Sequence, residues 1–356
     1  MATIGGNYFD LIDHYKSIDG KGSISAIIEM LCELNPVMED AIFTECNEGK
    51  THLTTIRTGL PDIAWGKLYK GIPQSKSNRQ QVRDTTGFLT GMLEVDQRML
   101  DLHKDKQSVY LTDEARGFLE SLSQKMQLNF FYGDESVTPE GFTGLAPRYA
   151  YWNTSRTVNN SSRQVINGGG AGTDNYSIWF VTHGDSFTSI IHPKNTEAGI
   201  KRTPFPNQLT LDADGNKYPV YNETYEWHLG VSVRDWRNNA RIANISEADL
   251  LSGNVKLFDL MHSAYHRMHR TIPVAYGQTE KNKGTDPGKG KTVCYMNRVC
   301  LEWLEKQDVA MGGMANTALR ITPAENAGRE VKMFRDIPIR ITDALLTYED
   351  VVPQMP

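Results

Sequence analysis

Residues 62–96 read DIAWGKLYKGIPQSKSNRQQVRDTTGFLTGMLEVD, and they follow THLTTIRTGLP at 51–61. The first segment is rich in β-branched residues and stops at Gly59-Leu60-Pro61. In the second, lone apolar residues (Trp65, Leu68, Ile72) interrupt a run of charges at Lys67, Lys70, Lys76, Arg79 and Arg83. No helical period fits this pattern. Residues 50–95 therefore predict a long two-stranded ribbon with little core of its own. An isolated hairpin is marginal in water, so the ribbon needs something else to lie on. An arm of ~15 residues at ~3.3 Å each reaches about 50 Å, past the edge of a small domain.

Around the ribbon the chain reads as an ordinary folded protein. Its 356 residues suffice for two or three compact units. The 39% apolar content is that of a globular chain, and no apolar run approaches the roughly 18 residues of a membrane-spanning helix. The N-terminus, MATIGGNYFDLIDHYK, lacks the basic-then-apolar order of a secretory signal. Net charge is −5, from 38 basic and 43 acidic side chains mixed along the chain. That balance argues against a large nucleic-acid-gripping face. Cys32, Cys46, Cys294 and Cys300 form no CxxC pair and no common zinc spacing, so they read as buried thiols.

Upstream, SISAIIEMLCEL (23–34) sets its apolar residues on one helical face, with Ser23 as cap and Asn35-Pro36 as stop. The clearest helix is TDEARGFLESLSQKMQLNFFY (112–132). Thr112 is its expected cap, Gly133 its stop, and Ala115, Phe118, Leu119, Leu122, Met126 and Phe130 its apolar stripe. Residues 149–325 alternate strands and loops, with strands expected at 176–184, 189–193 and 225–235. A helix is expected over 246–268 and a strand-then-helix over 292–307. The end, 329–350, predicts a hairpin turning at Arg335-Asp336, with Pro338 at an edge or at a strand's start.

Candidate chemistry is thin. GTDPGKGKT (284–292) imitates a phosphate loop, but five residues separate Gly284 from Gly290 where four are needed. A strand-like TVCYM follows where a helix should open. INGGGAGTDN also precedes a strand rather than a helix and reads as a flexible connection. His262, His266 and His269 fall at i, i+4 and i+7 with Asp259 on the same face, a geometry that could hold a metal. Arg267 and Arg270 would repel the cation, and three partly exposed histidines is the plainer reading. No serine sits in a nucleophile elbow and no carboxylate pair stands apart. The residues declare neither a catalytic nor a cofactor-binding site.

Six blocks resemble the major capsid proteins of tailed bacteriophages, in particular those of short-tailed viruses. They are IRTGLPDIAWGKLYKGIPQSKS (56–77), LNFFYGDESVTPEGFTGLAPRY (128–149), NGGGAGTDNYSIWFVTHG (167–184), IHPKNTEAG (191–199), SVRDWRNNARIANI (232–245) and VKMFRDIPIRITDALL (331–346). The resemblance implies an α+β fold of the Hong Kong 97 type. Its parts would be an N-terminal arm (1–49), an extended loop (50–95), a peripheral domain (96–148) with spine helix 112–132, an axial domain (149–325) and a C-terminal return (326–356). It implies a non-enzymatic shell subunit, without cofactor, that forms pentamers and hexamers around double-stranded DNA in the virion, assembled in the host bacterial cytoplasm. Trp65, Lys67, Leu68, Lys70, Ile72, Lys76 and Arg79 would be the inter-subunit contact. Only about 110 residues precede the spine helix, so a separate scaffolding protein is expected, beside a portal protein and room for a decoration protein. Two alternatives stand. One is an encapsulin-like compartment shell of the same fold. The other is a metal-dependent enzyme using His262, His266 and His269.

Overall fold

The computed structural model describes residues 35–102, 107–155, 158–196, 198–211, 214–269, 290–310, 319–323 and 330–356. The helix expected over 23–34, Cys32 and residues 284–289 of the glycine-rich loop lie outside them. The strands are β1 (Phe43–Glu45), β2 (Thr51–Gly59), β3 (Asn78–Asp96), β4 (Val165–Asn167), β5 (Asn175–His183), β6 (Thr188–His192) and β7 (Lys201–Leu211). There follow β8 (Lys217–Val233), β9 (Ala240–Ser246), β10 (Lys291–Met296), β11 (Leu319–Pro323), β12 (Glu330–Phe334) and β13 (Ile337–Ile341). The helices are α1 (Val37–Asp40), α2 (Gln97–Leu102), α3 (Gln107–Tyr132), α4 (Glu247–Leu251), α5 (Leu257–Arg267) and α6 (Arg298–Ala310). Contacts divide the described chain into two units, one of 88–127 and 198–228, the other of 35–87, 128–196 and 229–356.

The larger unit is built on β5. All nine of its residues are buried, because both its faces are covered. Such a strand reads as a near-continuous apolar run, and YSIWFV, broken only by Ser177, is one. It pairs antiparallel with β10 on one side (Cys294 opposite Phe180) and with β9 on the other (Ala240 opposite Phe180). β10 continues in parallel to β13, which leads by antiparallel pairing to β12 and β11. Tyr176, Ile178 and Phe180 share an apolar cluster with Ile242, Met261, Leu304 and Ile337, so α5 and α6 cover one face. On the other face Trp179 meets Phe131, from the end of α3, and Tyr149, at ring distances of 6.2 and 5.8 Å.

In the smaller unit, β7 and β8 pair antiparallel from Lys201 opposite Glu226 to Leu211 opposite Lys217. Phe118 of α3 stacks on Tyr225 at 5.2 Å. It also lies over Gly91, where a Cβ would come within 3.0 Å of its ring. Leu93, Val95, Leu122 and Trp227 complete this interior.

Several expectations need correction. α3 begins at Gln107, not Thr112; the Thr112 hydroxyl donates back to the Ser108 carbonyl, a mid-helix role rather than a cap. Leu119 is exposed and leaves the stripe. The helix expected over 246–268 is two helices, parted at Gly253, whose φ of +72° is left-handed. β13 is flanked on both sides, which removes the edge alternative for Pro338 and leaves the other: it lies at the strand's start, and pairing with β10 begins one residue later, at Ile339.

The glycines at 168–170 do not form a loose connection. The Gly168 and Gly170 amides donate to the Ala243 and Asn244 carbonyls, and a Cβ on Gly168 would sit 2.7 Å from the latter. Close approach to β9, rather than flexibility, explains them.

Candidate assembly surface

The ribbon has a buried root and a bare tip. At the root, His52 and Asp84 are directly opposite each other on β2 and β3, and both are buried. Both carboxylate oxygens of Asp84 are engaged. Arg148 Nη1 donates to one at 2.7 Å, and Ser232 Oγ to the other at 2.8 Å. Arg148 also donates to the Gly144, Thr143 and Val231 carbonyls. The chain thereby holds a charge pair buried to 20% and 2% side-chain exposure, with four of the five guanidinium N–H groups engaged. Backbone contact reinforces it: a Cβ on Gly230 would come 2.5 Å from the Thr85 carbonyl oxygen and 3.1 Å from Thr86 Cα. Gly230→Ala is expected to cost about 1–3 kcal/mol through this overpacking. A urea midpoint unchanged from the parent would show that the root can shift freely.

Beyond the root, the paired strands carry few buried side chains, and beyond Gly59 none is buried until Asp84. The tip exposes Leu60, Ile63, Trp65, Leu68, Tyr69 and Ile72, none less than 80% exposed. Local bonds shape it: the Asp62 amide donates to Ser75 Oγ at 2.7 Å, and the Lys70 amide to the Lys67 carbonyl at 3.2 Å. Tyr69 sits at the left-handed φ of +61°. Trp65, Lys67, Leu68, Lys70, Ile72 and Lys76 all lie in this tip, and Arg79 at its neck. There Arg79 is directly opposite Arg57. Like charges so placed repel. Among the described residues neither arginine, nor any of the three lysines, has an ion-pair partner. Sequence reading did not find Arg57, because only the pairing register reveals it.

The other candidate sites dissolve. α5 ends at Arg267 and the chain is extended by Met268, so His269 does not continue the face of His262 and His266. His262 packs at 5.1 Å on the Phe334 ring, and burial, then Arg335, holds its pKa below the usual value. No group of three His, Cys, Asp or Glu among the described residues is arranged to hold a metal. Lys291 of the glycine-rich stretch opens β10, and its ammonium pairs with the buried Asp40. Cys46, Cys294 and Cys300 are buried free thiols. No helix among the described residues is long and apolar enough to cross a membrane.

Six large apolar side chains thus stand in solvent along the ribbon tip. Comparison with known proteins says which kind of subunit it is. The family profile described as Major capsid protein GP7 matches residues 19–353. The chain belongs to that family. Among solved structures, the capsid protein is similar to a chain of bacteriophage Epsilon15, with 30% identity over 99% of both chains and a TM-score of 0.73. More remote likenesses include the bacteriophage JBD30 capsid, with 10% identity over 89% of this chain and 92% of that one and a TM-score of 0.45. Another is the SrpI encapsulin of Synechococcus elongatus, with 6% identity over 67% and 96% and a TM-score of 0.41. No curated protein sequence matches at a significant level. The capsid protein is thus the major shell subunit of a tailed phage, a mixed α+β structural protein that assembles with copies of itself into the virion. Family membership selects the phage capsid over the encapsulin alternative, and the family is one of structural proteins.

Proposed function

We propose that the ribbon tip, Trp65, Lys67, Leu68, Lys70, Ile72, Lys76 and Arg79, is the surface by which each subunit grips a neighbouring copy. The single observation that carries this is the row of six large apolar side chains standing in solvent between Leu60 and Ile72. Burying such side chains is worth roughly 1.5–3 kcal/mol each. The unpaired cations at the neck and tip suit a neighbour whose receiving surface carries carboxylates. In this reading the parts follow the Hong Kong 97 plan: arm 1–49, extended loop 50–95, peripheral domain 96–148 containing all of α3, axial domain 149–325 and C-terminal return 326–356. Copies gather into pentamers and hexamers that close the shell. The subunit's work is mechanical and involves no catalytic step. Its net charge of −5 suits a wall around double-stranded DNA, since a strongly basic lining would bind the genome tightly. Assembly in the host bacterial cytoplasm, a separate scaffolding protein, a portal protein and room for a decoration protein complete the proposal.

The test is zero-length carbodiimide cross-linking of shells assembled from equal amounts of unlabelled and nitrogen-15-labelled subunits. Lys67, Lys70 or Lys76 should be found joined to Asp or Glu in peptides of mixed label. Cross-links from these lysines confined to peptides of single label would place the tip on its own subunit and end the proposal.

A further inference from the structure

The ribbon root contains two polar atoms that its hydrogen bonding leaves unsatisfied. His52 Nε2 lies 2.8 Å from Arg234 Nη2. A guanidinium can only donate, so Nε2 is the acceptor, the ring proton is on Nδ1, and the imidazole is neutral. Both His52 Nδ1 and Arg234 Nε are buried without a hydrogen-bond partner. Arg234 is held from its other end by Asp185, at 3.1 Å, in the turn between β5 and β6. The remaining charged or titratable groups facing His52 can be named. Asp84 on β3 has both oxygens taken by Arg148 and Ser232. Cys46, between β1 and β2, has its thiol pushed to about 11 by burial and then by Asp84, and is uncharged.

We propose that the hydrogen bond between neutral His52 and Arg234 is a latch on the ribbon root that opens when His52 gains a proton. The second proton must go on Nε2. That turns the acceptor into a donor aimed at a donor and sets two cations side by side in a buried place. Asp84, opposite on β3, already accepts from Arg148 and Ser232. The sign follows from the same contacts: burial, then Arg234, lowers the His52 pKa, while Asp84 and Asp185 pull the other way with less effect. A histidine lowered in the closed root contributes its full share of stability above its ordinary pKa of about 6.5. That share is lost as pH falls through the closed-state value. His183, also buried, is held near 4 by burial, so its transition lies lower. The device sets how firmly the ribbon is pointed and does not depend on what its tip touches, so it is read first in the free subunit.

The experiment is amide hydrogen exchange on the full-length subunit at pH 7.5 and pH 5, corrected for intrinsic rates. Root peptides covering 46–53, 83–87 and 231–236 should exchange at least tenfold faster at pH 5. In His52→Gln the amide oxygen can accept from Arg234 without titrating, so root protection at pH 7.5 should persist and the pH response vanish. A response of equal size in His52→Gln, or none in the parent, overturns the latch. If the variant does not fold, exchange at the His52 ring C2 carbon of the unaltered protein decides. A midpoint below 6.5 supports the latch, and one at or above 6.5 overturns it.

Discussion

Subunits carrying Trp65→Ser, Leu68→Ser, Tyr69→Ser and Ile72→Ser together are expected to fold normally and to form no shells. In the isolated chain these four side chains are 86% or more exposed, so they have almost no intramolecular contact to lose. Surface substitutions of that kind stay within about 0.5 kcal/mol each. At an interface the same side chains would contribute roughly 1.5–3 kcal/mol each, and a loss of only 1.4 kcal/mol per contact is already tenfold in affinity. A closed shell repeats the contact at every subunit, so the effect compounds. Deleting 62–78 should do the same more bluntly. Circular dichroism and a urea midpoint read the fold; electron microscopy and light scattering read assembly. Normal shells at the parent's concentration would mean that the apolar tip is decoration. An unfolded variant would mean that the tip serves its own subunit.

The ribbon was legible because its sequence breaks every rule for an independent core: lone Trp65, Leu68 and Ile72 among lysines, with neither a two-residue nor a helical period. β5 was legible for the opposite reason, an apolar run from Ile178 to Val181 that suits a doubly covered strand. Boundaries were less so. A threonine followed by two acids looks like a helix start, yet Thr112 lies within α3, which begins five residues earlier at Gln107 and already buries Tyr110. Gly253 splits a helical pattern because its left-handed backbone ends one helix, a fact residue type permits but does not announce. The root was invisible. Asp84 and Arg148 are 64 residues apart, Arg241 and Glu349 are 108 apart, and nothing in a charge's neighbourhood along the chain names its partner across the fold. The repulsive pair Arg57 and Arg79 depends on register alone.

Glu349→Gln is expected to be the most destabilising single change of a charged residue, at about 3–5 kcal/mol. Glu349 and Arg241 are each 5% exposed at the side chain and 2.8 Å apart. The carboxylate also accepts from Ser177 Oγ and from the Tyr132 hydroxyl. Burial, followed by the charge of Glu349, pushes the Tyr132 pKa well up, so its hydroxyl stays a donor. Arg241 donates in turn to the Tyr149 carbonyl at 3.2 Å and to Ser177 Oγ, and lies 4.9 Å above the Trp179 ring. The Glu349 amide donates to the Asn175 carbonyl and Asn175 Nδ2 to the Glu349 carbonyl, which fastens the C-terminal segment beside the start of β5. The glutamine variant keeps the shape and removes the charge, leaving a guanidinium buried without its counter-ion. The cost is then that of an orphaned cation, not of a lost contact, and it has a distinctive signature. Arg241→Met added to Glu349→Gln should recover part of the loss, because it removes the orphan. The urea midpoint of the two single variants and the double variant measures this directly. If the double variant is destabilised by the full sum of the singles, the two residues act independently and the buried pair is not what holds the C-terminal segment in place.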